Sequence, residues 1–120
     1  MSLKNSITKK IVFKIIKERF INEVPFLQLL GVKVTRFDYP DVELELKWKK
    51  DLLGNVIQKS LHGGVSASML DSIGSLVSVA HFISHEKNLT AEYLKNRISH
   101  MGTIDLRVDY LLPGRGSLFT

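Results

Sequence analysis

The spacing of apolar residues changes as the chain is read, and each change marks an element. Ile7, Ile11 and Ile15, with Val12, Ile16 and Phe20, recur every three to four residues, so the period predicts an amphipathic helix over about residues 5–22. Val24-Pro25 interrupts it, and Phe26 to Leu30 reads as one short turn closed by Gly31. From Val32 to Phe37 the chain is rich in β-branched residues. Tyr39-Pro40-Asp41 then supplies turn chemistry, after which Val42, Leu44, Leu46 and Trp48 alternate with Glu43, Glu45, Lys47 and Lys49. That alternation predicts a hairpin with one wet face. Lys50 to Ser60, with Gly54-Asn55 and no sustained period, reads as a loop.

A helical period returns from about Gly64 to Ile83. One side carries Val65, Met69, Ile73, Leu76, Val77 and Ala80, and the other carries Gly64, Ala67, Ser68, Asp71, Gly74, Ser75 and Ser78. Such a helix is expected to be mostly buried, its small residues admitting a second backbone at close range. His85 to Arg97 is polar, with room for a second short helix. Thr103 to Leu111 sets Ile104, Leu106, Val108 and Tyr110 against Asp105, Arg107 and Asp109, a period-two pattern that predicts a strand. Pro113-Gly114 turns the chain, and Ser117 to Thr120 reads as the opening of a further strand, as if a sheet were cut short. No repeat, low-complexity tract or linker divides residues 1–120, so one domain is expected.

Composition narrows the chemistry. With 120 residues, 44% apolar and 24% charged, the chain resembles ordinary globular proteins of single-domain length. A core of that size leaves much surface open, so subunit association is expected. Cysteine is absent, which removes thiolate nucleophiles and Cys-type zinc sites and fits a reducing compartment. The apolar run Ile11 to Ile16 is broken by Lys14 and is too short for a signal or a membrane span, so a cytoplasmic protein without a membrane partner is expected. The net charge of +5 favours anionic ligands. Much of it sits in Lys4, Lys9, Lys10, Lys14, Lys17 and Arg19, read here as the solvated face of a packed helix rather than a nucleic-acid contact.

The stretch richest in chemistry is Leu61-His62-Gly63-Gly64, which leads into the small-residue helix and its single carboxylate, Asp71. Two glycines at a helix mouth present bare N–H groups that can polarise a carbonyl, and an acid two turns further on can attack or activate water. An ionised carboxylate is seldom buried without a partner, so Asp71 among small residues calls for a polar site or a subunit interface. Together they outline an acyl-transfer site.

Leu53-Gly54-Asn55, then Leu61-His62-Gly63-Gly64 with Asp71 at a fixed offset, then Gly102-Thr103-Ile104-Asp105-Leu106-Arg107-Val108-Asp109-Tyr110 running into Pro113-Gly114, occur here in an ordered series. In these motifs, over roughly Pro25 to Thr120, the chain resembles the hotdog-fold acyl-CoA thioesterases of the phenylacetic-acid-pathway (PaaI-like) type. The resemblance implies an α+β fold, a curved antiparallel sheet wrapped around a long central helix, with subunits paired as a homodimer or doubled to a homotetramer and active sites between them. It implies that Gly63 N–H polarises the thioester carbonyl of an acyl-CoA, and that Asp71 of the partner subunit is nucleophile or general base. Asn55 would orient water or the carbonyl, His62 would support it, Thr103 would hydrogen-bond in the site, and Gly64 and Ser68 would contact substrate. No cofactor or metal is implied. The family carries further strands after Pro113-Gly114, which this chain only begins, and its spacing between the residues matching Asn55 and His62 varies.

Other constellations are weaker. Gly64-Val65-Ser66-Ala67-Ser68 lacks the last glycine of a nucleophile elbow, and the chain is too short for the sheet that motif needs. His81 and His85 lie four apart with only Glu86 near as a third ligand, and are read as packing or surface histidines. His100 has no evident partner, and Trp48 reads as core or interface. Phosphate-binding glycine loops are absent. The functional expectation is acyl-CoA thioester hydrolysis. A non-catalytic acyl-CoA-binding module of the same fold is the alternative, with a hydratase or a basic interaction protein behind it.

Overall fold

The computed structural model describes residues 3–120, the side chain of Phe20 apart, so that residue's place in the predicted apolar stripe lies outside the description. Helix α1 spans Leu3–Ile16 and runs into one wider, π-helical turn over Lys17–Ile21, close to the predicted 5–22. Only one of its two apolar stripes packs. Phe13 is buried and meets Phe37 edge-on at 5.2 Å between ring centroids, with Val12 and Ile16 beside it, whereas Ile7, Ile11 and Ile15 stay exposed. The short α2, Pro25–Leu30, has proline in its first turn and ends at Gly31 in the left-handed region at φ +84°, where the Gly31 N–H donates to the Leu27 and Gln28 carbonyls.

Strands β1 (Val32–Phe37) and β2 (Val42–Lys47) pair antiparallel, Val32 opposite Leu46 and Phe37 opposite Val42. A bulge between Val34 and Arg36 shifts the phase of β1. Val32 and Val34 face the core, Thr35 and Arg36 both face water, and Phe37 is returned to the core where Phe13 meets it. On β2, Leu44 and Leu46 point inward as the alternation predicts, and Leu46 is fully buried. Strand β5, Leu118–Phe119, joins the other edge of β2 through Leu46 opposite Phe119, so the expected strand opening near the end of the chain is present. Trp48 lies just past β2, its N–H donating to the Ser117 carbonyl.

Residues 50–61 depart from the predicted loop. After a 3₁₀ turn at Lys50–Leu52, strands β3 (Leu53–Asn55) and β4 (Ser60–Leu61) form a small hairpin of their own. A ladder this short leaves no periodic signal in sequence. Gly54 makes it possible, because a Cβ there would fall 2.5 Å from the His62 Cα.

Helix α3, Gly63–His85, buries Val65, Ala80 and Ile83 against β1 and β2, with Met69, Ile73, Leu76 and Val79 at the margin of the core. By length and composition alone it could also cross a bilayer. Its small-residue side is open rather than tightly packed: nothing lies within 4 Å of a Cβ built on Gly74. A second short helix, α4, follows at Ala91–Ser99.

The predicted strand over Thr103 to Leu111 is not formed, and that expectation is corrected. Residues 103–111 join no ladder and are nearly all exposed. A strand alternates faces with period two, so Thr103 and Tyr110 would point to opposite sides. Here both reach α3, Thr103 at Asp71 and Tyr110 at Gly63, and a regular strand cannot satisfy both contacts.

Candidate active site

The mouth of α3 is held by its neighbours on both sides. His62 is the N-cap, in the extended region at φ −62° and ψ 131°, and its Nδ1 accepts the Gly64 N–H at 2.8 Å. The carbonyl of Gly63, in the same peptide unit, accepts the Tyr110 hydroxyl at 2.6 Å. One peptide plane is therefore fixed at both ends. The preceding plane is fixed at its oxygen, since the His62 carbonyl accepts Val65 N–H at 2.9 Å. Its other end, the Gly63 N–H, has no acceptor among the described residues. The expectation of two bare glycine amides is thereby corrected to one, because an imidazole nitrogen is a good acceptor within reach of Gly64. Glycine at 64 is what lets the ring fold in, as a Cβ would lie 2.9 Å from His62 Nδ1.

Asp71 lies half-buried two turns further along α3, and its Oδ1 accepts the Thr103 hydroxyl at 2.5 Å. The carboxylate opens on a groove of about 820 Å³ lined by Leu70, Gly74, Ser75, Met101, Thr103 and Leu106. No arginine or lysine pairs with it among the described residues. The segment Thr103–Tyr110 thus runs back along the open side of α3, from its acid to its mouth. Tyr110 was not foreseen as a site residue. The signal available was a phenol hydroxyl on an otherwise apolar strand face, which needs a partner wherever that face is covered.

The other expected residues fall as follows. Ser68 Oγ donates to the Gly64 carbonyl at 2.7 Å, a bond to its own helix. Asn55 Oδ1 accepts Ile57 N–H at 3.0 Å and Gln58 N–H at 2.8 Å, so its oxygen shapes the β3–β4 turn and its amide nitrogen is the end left for other work. His81 and His85 stack at 4.2 Å between centroids, with the Tyr39 hydroxyl 3.2 Å from His81 Nδ1, beside a second hollow of about 600 Å³. Among the described residues no three histidine, aspartate or glutamate side chains converge as a metal cluster would need.

Eight residues separate Gly63 from Asp71, which on an α-helix is about 12 Å along the axis and roughly 80° around it. Within one chain those two groups cannot meet at one carbonyl carbon. What the arrangement can do is polarise an acyl carbonyl at one end and supply a carboxylate at the other to a second copy.

An antiparallel sheet laid on a long helix with a His-Gly-Gly cap at its mouth is the hotdog architecture that the sequence motifs lead one to expect. No family model matches the chain. It is 40% identical over 114 residues to the medium/long-chain acyl-CoA thioesterase YigI of Escherichia coli K12, covering 95% of this chain and 74% of that protein, and it matches the YigI of Salmonella typhimurium to the same extent. A crystal structure from Shewanella oneidensis, described as related to the thioesterase superfamily, superposes with a TM-score of 0.81 at 38% identity over 98% of this chain and 74% of that one. A second thioesterase-superfamily structure reaches a TM-score of 0.52 at 27% identity over 59% of this chain and 53% of the other. The chain belongs to the hotdog-fold acyl-CoA thioesterases.

Proposed function

We propose that the thioester is hydrolysed between two subunits, the Gly63 N–H of one holding the carbonyl oxygen and Asp71 of the other delivering the nucleophile. The observation that carries this reading is the Gly63 amide: one donor without a partner, its two flanking peptide planes pinned by His62, Tyr110 and Val65. A fixed N–H costs little reorganisation when negative charge develops on the carbonyl oxygen, and removing such a donor costs about 3 kcal/mol. Asp71 either attacks the carbonyl carbon, giving a mixed anhydride that water then opens, or takes a proton from the attacking water. By either route the C–S bond breaks, coenzyme A leaves as its thiol after protonation, and the acid is released.

Thr103 donates to Asp71 and holds one carboxylate oxygen, leaving the other for chemistry. His62 and Tyr110 act as positioning residues through the 63–64 peptide. The carboxamide nitrogen of Asn55, Gly64 and Ser68 complete the substrate contacts, and the motif order favours the PaaI-like branch. The substrate is an acyl-CoA of medium or long chain, as named for the YigI relatives, and the assembly is at least a homodimer.

Free-thiol release from a panel of acyl-CoAs tests the reading. Asp71→Ala is expected to lower kcat by about 10²-fold or more while leaving acyl-CoA binding within a few-fold. Undiminished turnover by that variant would exclude Asp71. Single-turnover reaction in ¹⁸O-water reports on the routes: a first product without ¹⁸O means that its second oxygen came from Asp71, through an anhydride opened by water at the Asp71 carbonyl carbon, whereas attack of water on the acyl carbon places one ¹⁸O in the first product.

A further inference from the structure

We propose that the outer face of α1 is a docking surface for an anionic lipid bilayer. Leu3, Ile7, Ile11 and Ile15 are spaced four apart, so they follow one side of the helix with a slow drift, and they are 79%, 52%, 54% and 46% exposed. The opposite side is anchored. Phe13 is buried against Phe37, Lys9 Nζ donates to the Ser84 carbonyl in the last turn of α3, and Lys17 Nζ donates to the Thr35 carbonyl. The helix is thereby held lengthwise on the body of the protein with its isoleucine stripe outward. From sequence, the apolar run is too short to span a membrane and the helix is expected to pack with its basic face in water, so no membrane partner is expected; the exposed isoleucine stripe changes that expectation.

Charge selects the occupant. Helix α1 has lysines at 4, 9, 10 and 14 and no acid, and with Lys9 turned inward, Lys4, Lys10 and Lys14 are left exposed. A second copy laid on this face would set lysine against lysine. A nucleic acid would satisfy the lysines and leave the isoleucines in water. An anionic bilayer accommodates both, the isoleucines entering the headgroup boundary while the lysine stems reach along it to lipid phosphates.

Co-sedimentation of the full chain with lipid vesicles tests this. Vesicles with about one third phosphatidylglycerol in phosphatidylcholine should bind it at least about tenfold more tightly than phosphatidylcholine alone, with the difference shrinking as salt rises. Ile7→Ser with Ile11→Ser, both at exposed positions, should weaken binding to the anionic vesicles roughly tenfold at unchanged circular dichroism. Lys10→Glu with Lys14→Glu should abolish the preference for anionic lipid, and both double variants should hydrolyse a soluble short-chain acyl-CoA at the original rate. No binding to the anionic vesicles, or equal binding to the two compositions, would overturn the proposal. So would a change in the sedimentation coefficient of lipid-free protein in the Ile7→Ser, Ile11→Ser variant, which would make a second copy the occupant.

Discussion

At Gly63 two demands meet on one residue: a Cβ would sit 3.2 Å from the Tyr110 ring, and the peptide nitrogen is the donor on which the proposed chemistry depends. They can be separated by substitution. Gly63 is the first residue of α3, where proline is well tolerated, and His62 already holds the extended backbone that a following proline requires. Gly63→Pro should therefore fold, yet it lacks the N–H. Gly63→Ala keeps the N–H and adds only the Cβ, which the exposed Tyr110 ring can yield to. The expected outcome is a kcat within a few-fold of the original for Gly63→Ala and a loss of about 10²–10³-fold for Gly63→Pro, with matching circular dichroism. Equal rates for the two variants would remove the amide from the mechanism. At this scale the sequence was legible where chemistry is tied to a motif. Gly63 and Asp71 stand out by type and spacing, His62 and Thr103 enter through the family resemblance, and the structure brings Thr103 onto Asp71. Tyr110 was not legible as a partner of Gly63, because that contact depends on how residues 103–110 are routed over α3.

Elements were legible to the extent that their period lasts. The hairpin of β1 and β2 and the long α3 each hold one period for a full element, and the structure forms them near the predicted bounds. The β3–β4 hairpin is too short to show a period, and the failed strand at 103–111 shows the converse: alternation records a tendency to pair, and pairing needs a neighbour that the described residues do not provide. The junction between α3 and α4 was read only as polar, and its order comes from one side chain. Glu86 accepts the N–H groups of Lys87 and Asn88 and the Tyr93 hydroxyl, and these bonds, the Asn88 amide first, hold its carboxyl below the usual range. The same contact raises the Tyr93 phenol. A carboxyl whose folded value is depressed contributes stability above its unfolded value, and that contribution disappears as pH falls through the folded one. Urea unfolding should therefore show the original protein losing stability relative to Glu86→Gln as the pH drops below about 4.3, the ordinary glutamate value, with the difference constant above it. A pH-independent difference would mean that the carboxylate charge is not what orders the junction.

For the whole molecule the governing fact is the length of a helical turn. Because about 12 Å of α3 lies between Gly63 and Asp71, the proposed site has to be made in trans, and the open face around Gly74 is where a second copy can approach. Trans assembly has a signature that no single variant can give. Asp71→Ala chains keep the amide and lack the acid, whereas Gly63→Pro chains keep the acid and lack the amide, so each is inactive alone. Unfolded together and refolded, the two should exchange subunits, and a mixed dimer contains one site with both groups intact and one with neither. Random pairing makes half the dimers mixed, so thiol release per site should recover to about a quarter of the original value. A site made within one chain would give no recovery at any mixing ratio, because no subunit in the mixture carries both groups. Preferential mixed pairing can raise the recovery to at most a half, so recovery above a half would require sites that share more than two chains, as a tetramer with a common groove would have, and the dependence of the recovered rate on mixing ratio then reports how many chains build each site.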